Sequence, residues 1–300
     1  LFFGGLRNQL IVIENKANRV FNTYLTYKLK GYFDLQDIYS YANDEVDDPK
    51  RFSRSIVGEY RQKKYGVLFG IGMQAGKFGN IIADFRYETN SIRNIVGDTV
   101  DPYKIDIAAL RFNMRIDTQD KYPYPNYGAY FDTYYETSQK IFGADISYSL
   151  YALNYVGYFS VSRLSTLIPS IQIGVADETL PLSQQFAFGG QYSFLGYRAD
   201  EYRGRQIFIG SLQYRMKLPF KIWFNSYISI RYDVGNIWEQ KEEMKFKDFK
   251  QGVGAVLSFD TPIGPADFAI GRSFLIDRGL TTGNIVRGTT QLYFTIGYFF

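Results

Sequence analysis

QLYFTIGYFF, residues 291 to 300, carries Leu292, Phe294, Ile296, Tyr298 and Phe300 at even positions and Gln291, Tyr293, Thr295, Gly297 and Phe299 at odd ones. One face is greasy and the other mostly small or polar, which is the period of two of a β-strand with one face buried in something apolar. The same rhythm sets Ile228, Ile230, Tyr232 and Val234 against Ser229, Arg231, Asp233 and Gly235. It sets Val253, Ala255, Leu257 and Phe259 against Gly254, Val256 and Ser258, and Ile81, Ala83, Phe85 and Tyr87 against Asp84, Arg86 and Glu88. In GADISYSLYAL it opposes Ile146, Tyr148 and Leu150 to Asp145, Ser147, Ser149 and Tyr151.

A β-sandwich and a membrane barrel both give this alternation, and the polar face separates them. A wet barrel lumen accepts glycine, serine, tyrosine and charge of both signs, and its strands need about ten residues to cross a bilayer, against about five or six in a sandwich. The strands here are of the longer kind, with aromatics near their ends, as in YFDTYYETS and GYFF. The predicted fold is therefore all-β: a transmembrane, antiparallel, up-and-down barrel forming one domain over residues 1–300.

Strands are predicted near 1–14, 18–31, 33–42, 54–75, 79–89, 104–118, 127–138, 142–156, 166–177, 204–218, 222–236, 248–260, 265–275 and 289–300, about fourteen in all, with sixteen the upper count. Tight Pro/Gly turns fall at 76–80, 122–128, 218–221 and 261–265, and longer polar loops at 43–52, 89–102, 178–204, 238–247 and 277–288. Short turns on one side and long loops on the other predict periplasmic turns, extracellular loops and periplasmic termini. The N-terminus shows no basic segment followed by an apolar run, and no apolar run is long enough for a helical span.

Composition excludes much chemistry. Cysteine and histidine both number 0, which removes disulfides, thiolate and imidazole metal sites, and Ser-His-Asp triads. The net charge of +4, from 34 basic and 30 acidic residues, gives no nucleic-acid footprint. No Gly-x-Ser-x-Gly elbow occurs, and in GIGMQAG (70–76) the third glycine is displaced from its place in a dinucleotide loop and no helix pattern follows. The inward carboxylates Asp84, Glu88, Asp132, Glu136 and Asp233 read as solvated lumen charge. No catalytic residue, cofactor or metal is expected.

FAFGGQYSFLGYRADEYRGR, residues 186–205, breaks the strand rhythm. In water, Phe186, Phe188, Tyr192, Phe194, Leu195 and Tyr197 would expose an apolar patch. With Gly189, Gly190, Gly196 and Gly204 permitting a tight hairpin, the segment fits better as a lid folded into the lumen, where an inward carboxylate meets one of its arginines.

At these residues the sequence resembles the superfamily of BamA-like barrels: outer-membrane insertases, two-partner secretion transporters and related translocators. The resemblance covers roughly 54–300 and rests on RIDTQDKYPYPNYGAYF (115–131), FAFGGQYSFLGYR (186–198), RYDVGNIW (231–238), GVGAVLSFDTPIGP (252–265) and LYFTIGYFF, in the family's order. It implies a lid inside the barrel whose motif arginine contacts the inner wall, here Asp233 with Arg231 beside it. Leu195 stands where that arginine belongs, before Gly196 and Tyr197, so Arg198 or Arg203 would take its place.

FLGYRADEYRG, with Asp200, Glu201 and Gly204, looks like the lid of barrels fused to patatin-like phospholipases, the type Vd autotransporters. That likeness implies a translocator secreting or anchoring its own N-terminal passenger in a Gram-negative outer membrane. Outer-membrane lipid and the barrel assembly machinery, which would read the C-terminal signal at Tyr298 and Phe300, are the other implied partners. A BamA- or TamA-like insertase and a passive porin-like channel are the alternatives.

Overall fold

The computed structural model describes residues 2–3, 8–17, 19–20, 23–221, 223–245, 248–276 and 285–297. Its strands are β1 (Phe2–Phe3), β2 (Gln9–Ala17), β3 (Leu25–Asn43), β4 (Arg54–Ala75), β5 (Gly79–Val96), β6 (Tyr103–Asp117), β7 (Gly128–Ser138), β8 (Tyr148–Ser160), β9 (Ser165–Ala176), β10 (Phe186–Phe188), β11 (Tyr202–Gly204), β12 (Gln206–Lys217), β13 (Asn225–Trp238), β14 (Lys250–Thr261), β15 (Gly264–Ile276) and β16 (Ile285–Ile296). Fourteen of them form one antiparallel sheet in chain order, from β1 to β9 and then β12 to β16; β10 and β11 pair only with each other.

The period of two does sort the side chains. On β13, Ile230 is 64% exposed while Arg231 and Asp233 on the opposite face are buried, and on β16 Leu292 is 79% exposed. On β5, Ile81, Phe85 and Tyr87 point out, and Asp84, Arg86 and Glu88 point in. An apolar outside around a polar inside is what lipid selects. The sheet curls far enough for inward groups to meet across it: Tyr124, in the turn after β6, donates to the backbone oxygen of Phe259 on β14 at 3.3 Å.

β8 departs from the expected sidedness. Tyr148 and Leu150 are buried, and they cluster with Ile107, Ala109, Ala176 and Leu180 inside the barrel, while Tyr151 faces out. An apolar patch inside a polar lumen is stable here because Leu180, from the segment after β9, covers it.

Among the described residues the sheet's fourteen strands agree with the expected count, but the first three are drawn differently. Residues 25–43 form one strand of 19 residues rather than two, since Gly31 stays in register between Val12-paired Tyr32 and Lys30 without turning the chain. β5 also continues to Val96, through residues expected to be loop. With β4 at 22 residues, β3–β5 far exceed the ~10 residues a tilted strand needs to cross a bilayer, so part of each must lie outside it. Short connections lie at one end of the sheet, such as 76–78 and 262–263, and long ones at the other, such as 44–53, 177–205 and 239–249. In an outer-membrane barrel the long-loop end is extracellular. Tyr298 and Phe300 lie outside the described residues.

Candidate functional site

The segment between β9 and β12 turns inward. It makes a short helical turn at Leu182–Gln184, then the β10–β11 ribbon, in which Phe186 pairs with Gly204, Ala187 with Arg203 and Phe188 with Tyr202. Beyond Phe188 the chain reverses through Gly189 and Gly190, both at positive φ (111° and 95°), a conformation that costs a side-chain-bearing residue far more than glycine.

Phe188, Phe194 and Tyr197 are buried against one another, with ring centroids 4.5, 5.5 and 5.6 Å apart, and pack on Ile207, Ile209 and Ile237 of the wall. Such pairs each add about 0.5–1.5 kcal/mol beyond their burial. Three of the aromatic residues that would have been unfavourable in water thus form the lid's own core, with Phe186 partly buried against it, whereas Tyr192 stays 54% exposed. Burial also pushes the Glu201 carboxyl up from its ordinary range, although Arg54 and Arg198 pull it down.

The wall holds the tip through its backbone. Asp233 and Arg231 lie two apart on β13 and so share the inner face. Asp233 accepts the N–H of Leu195 at 2.8 Å on one oxygen and Arg231 Nε at 2.7 Å on the other. Arg231 donates onward to the lid carbonyls of Gln191 at 2.9 Å and Ser193 at 2.7 Å. On β16, the Tyr293 hydroxyl accepts the Gly196 N–H and donates to the Tyr197 carbonyl, both at 2.8 Å. Tyr192 donates to Asp267 on β15 at 2.9 Å.

The tip rests on a bed of glycines. A Cβ at Gly252 or Gly254 on β14, or at Gly271 on β15, would press into Leu195 or Gly196, and one at Gly196 would strike the β15 backbone at Arg272 and Ser273. Leu195 is fully buried there, packed with Val256, Ala269 and Tyr293.

Arg198 and Arg203, the expected partners of Asp233, are elsewhere. Arg198 donates to the carbonyl of Arg54 at 3.0 Å and lies over the Tyr41 ring, whereas Arg203 is 3.4 Å from Asp200. Asp233 is already neutralised by its own strand neighbour, so a lid arginine has no charge to meet. Glu201 accepts the N–H of Arg198 at 2.7 Å, and its carbonyl takes Arg54 Nη1 at 2.5 Å.

Tyr293, Arg54 and the glycine bed were not singled out from the sequence. The alternate glycines of GVG (252–254) on an inner face were the available signal for a close approach.

The inward carboxylates are not solvated as expected. Glu136 is fully buried, held by Arg86 at 2.5 Å, Arg111 at 2.7 Å and the Tyr148 hydroxyl at 2.7 Å. Glu88 pairs with Arg86 at 2.9 Å, accepts from Tyr32, and takes Gln184 of the lid segment at 2.7 Å. The segment is therefore fixed at both walls, on β5 as well as on β13 and β16. Asp132 stays partly exposed beside Arg115. Asp84 is buried, with one oxygen unpartnered.

The inward-folded segment is thus seated on an aspartate in the interior of β13. The sequence matches the Omp85 superfamily domain over residues 22–300. The chain belongs to the Omp85 superfamily. It is accordingly an outer-membrane β-barrel protein of the Gram-negative type.

Solved Omp85-like folds align along nearly the whole chain. BamA from Haemophilus ducreyi lacking POTRA domains 1-3 superposes with a TM-score of 0.71 at 13% identity, over 95% of this chain and 61% of that one. CdiB from Acinetobacter baumannii gives 0.57 at 14% identity, over 96% of this chain and 50% of that one. CdiB from Escherichia coli gives 0.59 at 10% identity, over 95% and 58%. This Omp85 barrel thus spans roughly half to three-fifths of those chains. No curated protein sequence matches it.

Proposed function

We propose that this Omp85 barrel is a polypeptide translocator of the outer membrane, of the type Vd kind, and that its passenger is a patatin-like phospholipase. The observation that carries the reading is the seat of the 186–204 lid. Its tip is held by backbone hydrogen bonds to Asp233, Arg231 and Tyr293 and by shape against glycines, with no cross-lumen ion pair at the tip among the described residues. Contacts of that kind are each worth about 1 kcal/mol, or roughly 2 when a charge takes part, so a passing chain can displace them step by step. The FLGYRADEYRG string carries the type Vd assignment.

The likeness to BamA favours a second reading, insertion of other barrels into the membrane. Expression of the full-length gene product in a Gram-negative host separates the two. Export predicts a passenger that added protease reaches on intact cells, and that becomes inaccessible when the lid is locked to β15 by a Leu195→Cys/Ala269→Cys disulfide, at two side chains that already pack together. A passenger that stays periplasmic, with depletion lowering the assembly of unrelated barrels, establishes the insertase. A large, steady conductance from the intact barrel in planar bilayers would mark it as a porin.

A further inference from the structure

The loop joining β3 to β4, residues 44–53, does not end at its own strands. It reaches β16, the last strand of the sheet. Arg51 bridges Arg287 in parallel; Phe52 donates its N–H to the Arg287 carbonyl at 3.0 Å, and Arg287 donates its own to the Lys50 carbonyl at 2.8 Å. An edge strand normally turns such groups outward as a template for another strand. At Arg287 both are already taken.

Phe52 goes deeper. The β15–β16 register shifts between Arg272 and Phe274, and there the inner face of β16 carries Gly288. A Cβ at Gly288 would come within 2.7 Å of the Phe52 ring, so the glycine leaves the hole that Phe52 fills. From that hole the ring stacks on Tyr197 of the lid, with centroids 6.1 Å apart. Gly196, next to Tyr197, lies against Ser273, the β15 residue at the same irregularity. One local defect in the sheet thus receives the loop from one side and the lid tip from the other.

We infer that residues 44–53 are a strap coupling the outer end of β16 to the lid, so that withdrawing the lid and freeing the β16 edge are a single event. The inference deepens the translocator reading and rests on it only for what opening accomplishes; the coupling is a property of the barrel itself. An irregularity of this sort re-aims the chain and interrupts pairing, which makes it a natural pivot.

These 300 residues contain no cysteine, so within them an introduced pair has no native thiol to compete with it. Arg51→Cys/Arg287→Cys, in the full-length protein in outer membranes, should form a disulfide under mild oxidant while the barrel keeps its heat-modifiable migration. Unseating the lid with Gly196→Val should slow that disulfide about fivefold or more, the scale of losing one aromatic contact. Leu195→Ala serves the same purpose should Gly196→Val fail to fold. Phe52→Ala should both slow the disulfide and expose Arg198 and Arg203 to trypsin, whereas Phe52→Leu should largely retain the original behaviour. Absence of the disulfide in the folded barrel, or an unchanged rate when the lid is unseated, overturns the strap. A barrel that couples in this way but exports nothing removes the translocator reading and leaves the strap standing.

Discussion

Asp233 divides its two oxygens between the N–H of Leu195, 2.8 Å away on the lid, and Nε of Arg231, 2.7 Å away on its own strand. The carboxylate is fully buried, so its removal strands a guanidinium. Asp233→Ala should therefore cost about 3–5 kcal/mol of lid and local wall stability, the scale for breaking a buried pair. Asp233→Asn, which keeps an acceptor, should cost less. The measurement is trypsin cleavage at Arg198 and Arg203 in the folded barrel; equal protection in wild type and Asp233→Ala would refute the anchoring.

Leu195 offers a sharper test. Its side chain is buried with Val256 and Ala269, beside an aspartate that Arg231 already neutralises. Restoring the family's arginine by Leu195→Arg would bring a second guanidinium to one carboxylate and trade an apolar contact for a desolvated charge. It should unseat the lid. Adding Arg231→Ser should recover much of the protection, because Asp233 then has one cation again. Protection of Leu195→Arg alone equal to that of wild type would refute the apolar seat.

The glycine bed makes the lid's position a matter of shape. Gly271→Val would press into Leu195 and Gly196 without removing any hydrogen-bond donor, and overpacking costs typically 1–3 kcal/mol. Trypsin should then cut the lid while the heat-modifiable migration of the barrel persists. The same substitution at Gly210, whose Cβ would meet nothing closer than 3.6 Å, should be near neutral for the lid.

Strand existence and sidedness were legible because lipid enforces a period of two, and Ile230 opposite Arg231 is unambiguous under that rule. What failed was tertiary. Tyr148 and Leu150 face inward because a distant lid residue, Leu180, covers them, and nothing local to β8 records that. The lid itself was legible from aromatics that water would not tolerate. Its partners were not: the expectation that a lid arginine meets Asp233 counted charges, whereas Arg231, two residues away on the same face, satisfies the charge and leaves the backbone to bind the lid. Glu88 and Glu136 look like solvated lumen charge until the register sets Arg86 and Arg111 beside them.

That second cluster should matter for the barrel more than for the lid. Glu136 is shared by Arg86 and Arg111 with both carboxylate oxygens in use. Glu136→Gln leaves two guanidinium groups facing one amide, at a cost of about 3–5 kcal/mol. The midpoint of denaturant unfolding in detergent should fall clearly. Arg51→Gln, which loses only the exposed pair with Asp48, should shift it little and serves as the matched control. Equal midpoints for Glu136→Gln and wild type would show that the cluster is solvated after all.

The short-turn end supplies the last test. Arg215 of β12 lies 5.6 Å from the ring centroids of both Tyr124 and Tyr227, which stack on each other at 4.3 Å, and donates to the carbonyl of Pro125. It therefore ties the turn after β6 to the opposite wall, beneath a cavity of about 530 Å³ whose other side includes Gln191 and Tyr192 of the lid. A flat guanidinium can use both rings and the carbonyl at once; an ammonium cannot. Arg215→Ala should raise amide hydrogen exchange across 119–128 about tenfold, corresponding to the loss of desolvated cation–π contact, while leaving 186–204 protected. Arg215→Lys should behave closer to alanine than to arginine. Unchanged exchange in the turn, or equal loosening of the lid, would mean that the two closures are not separately held.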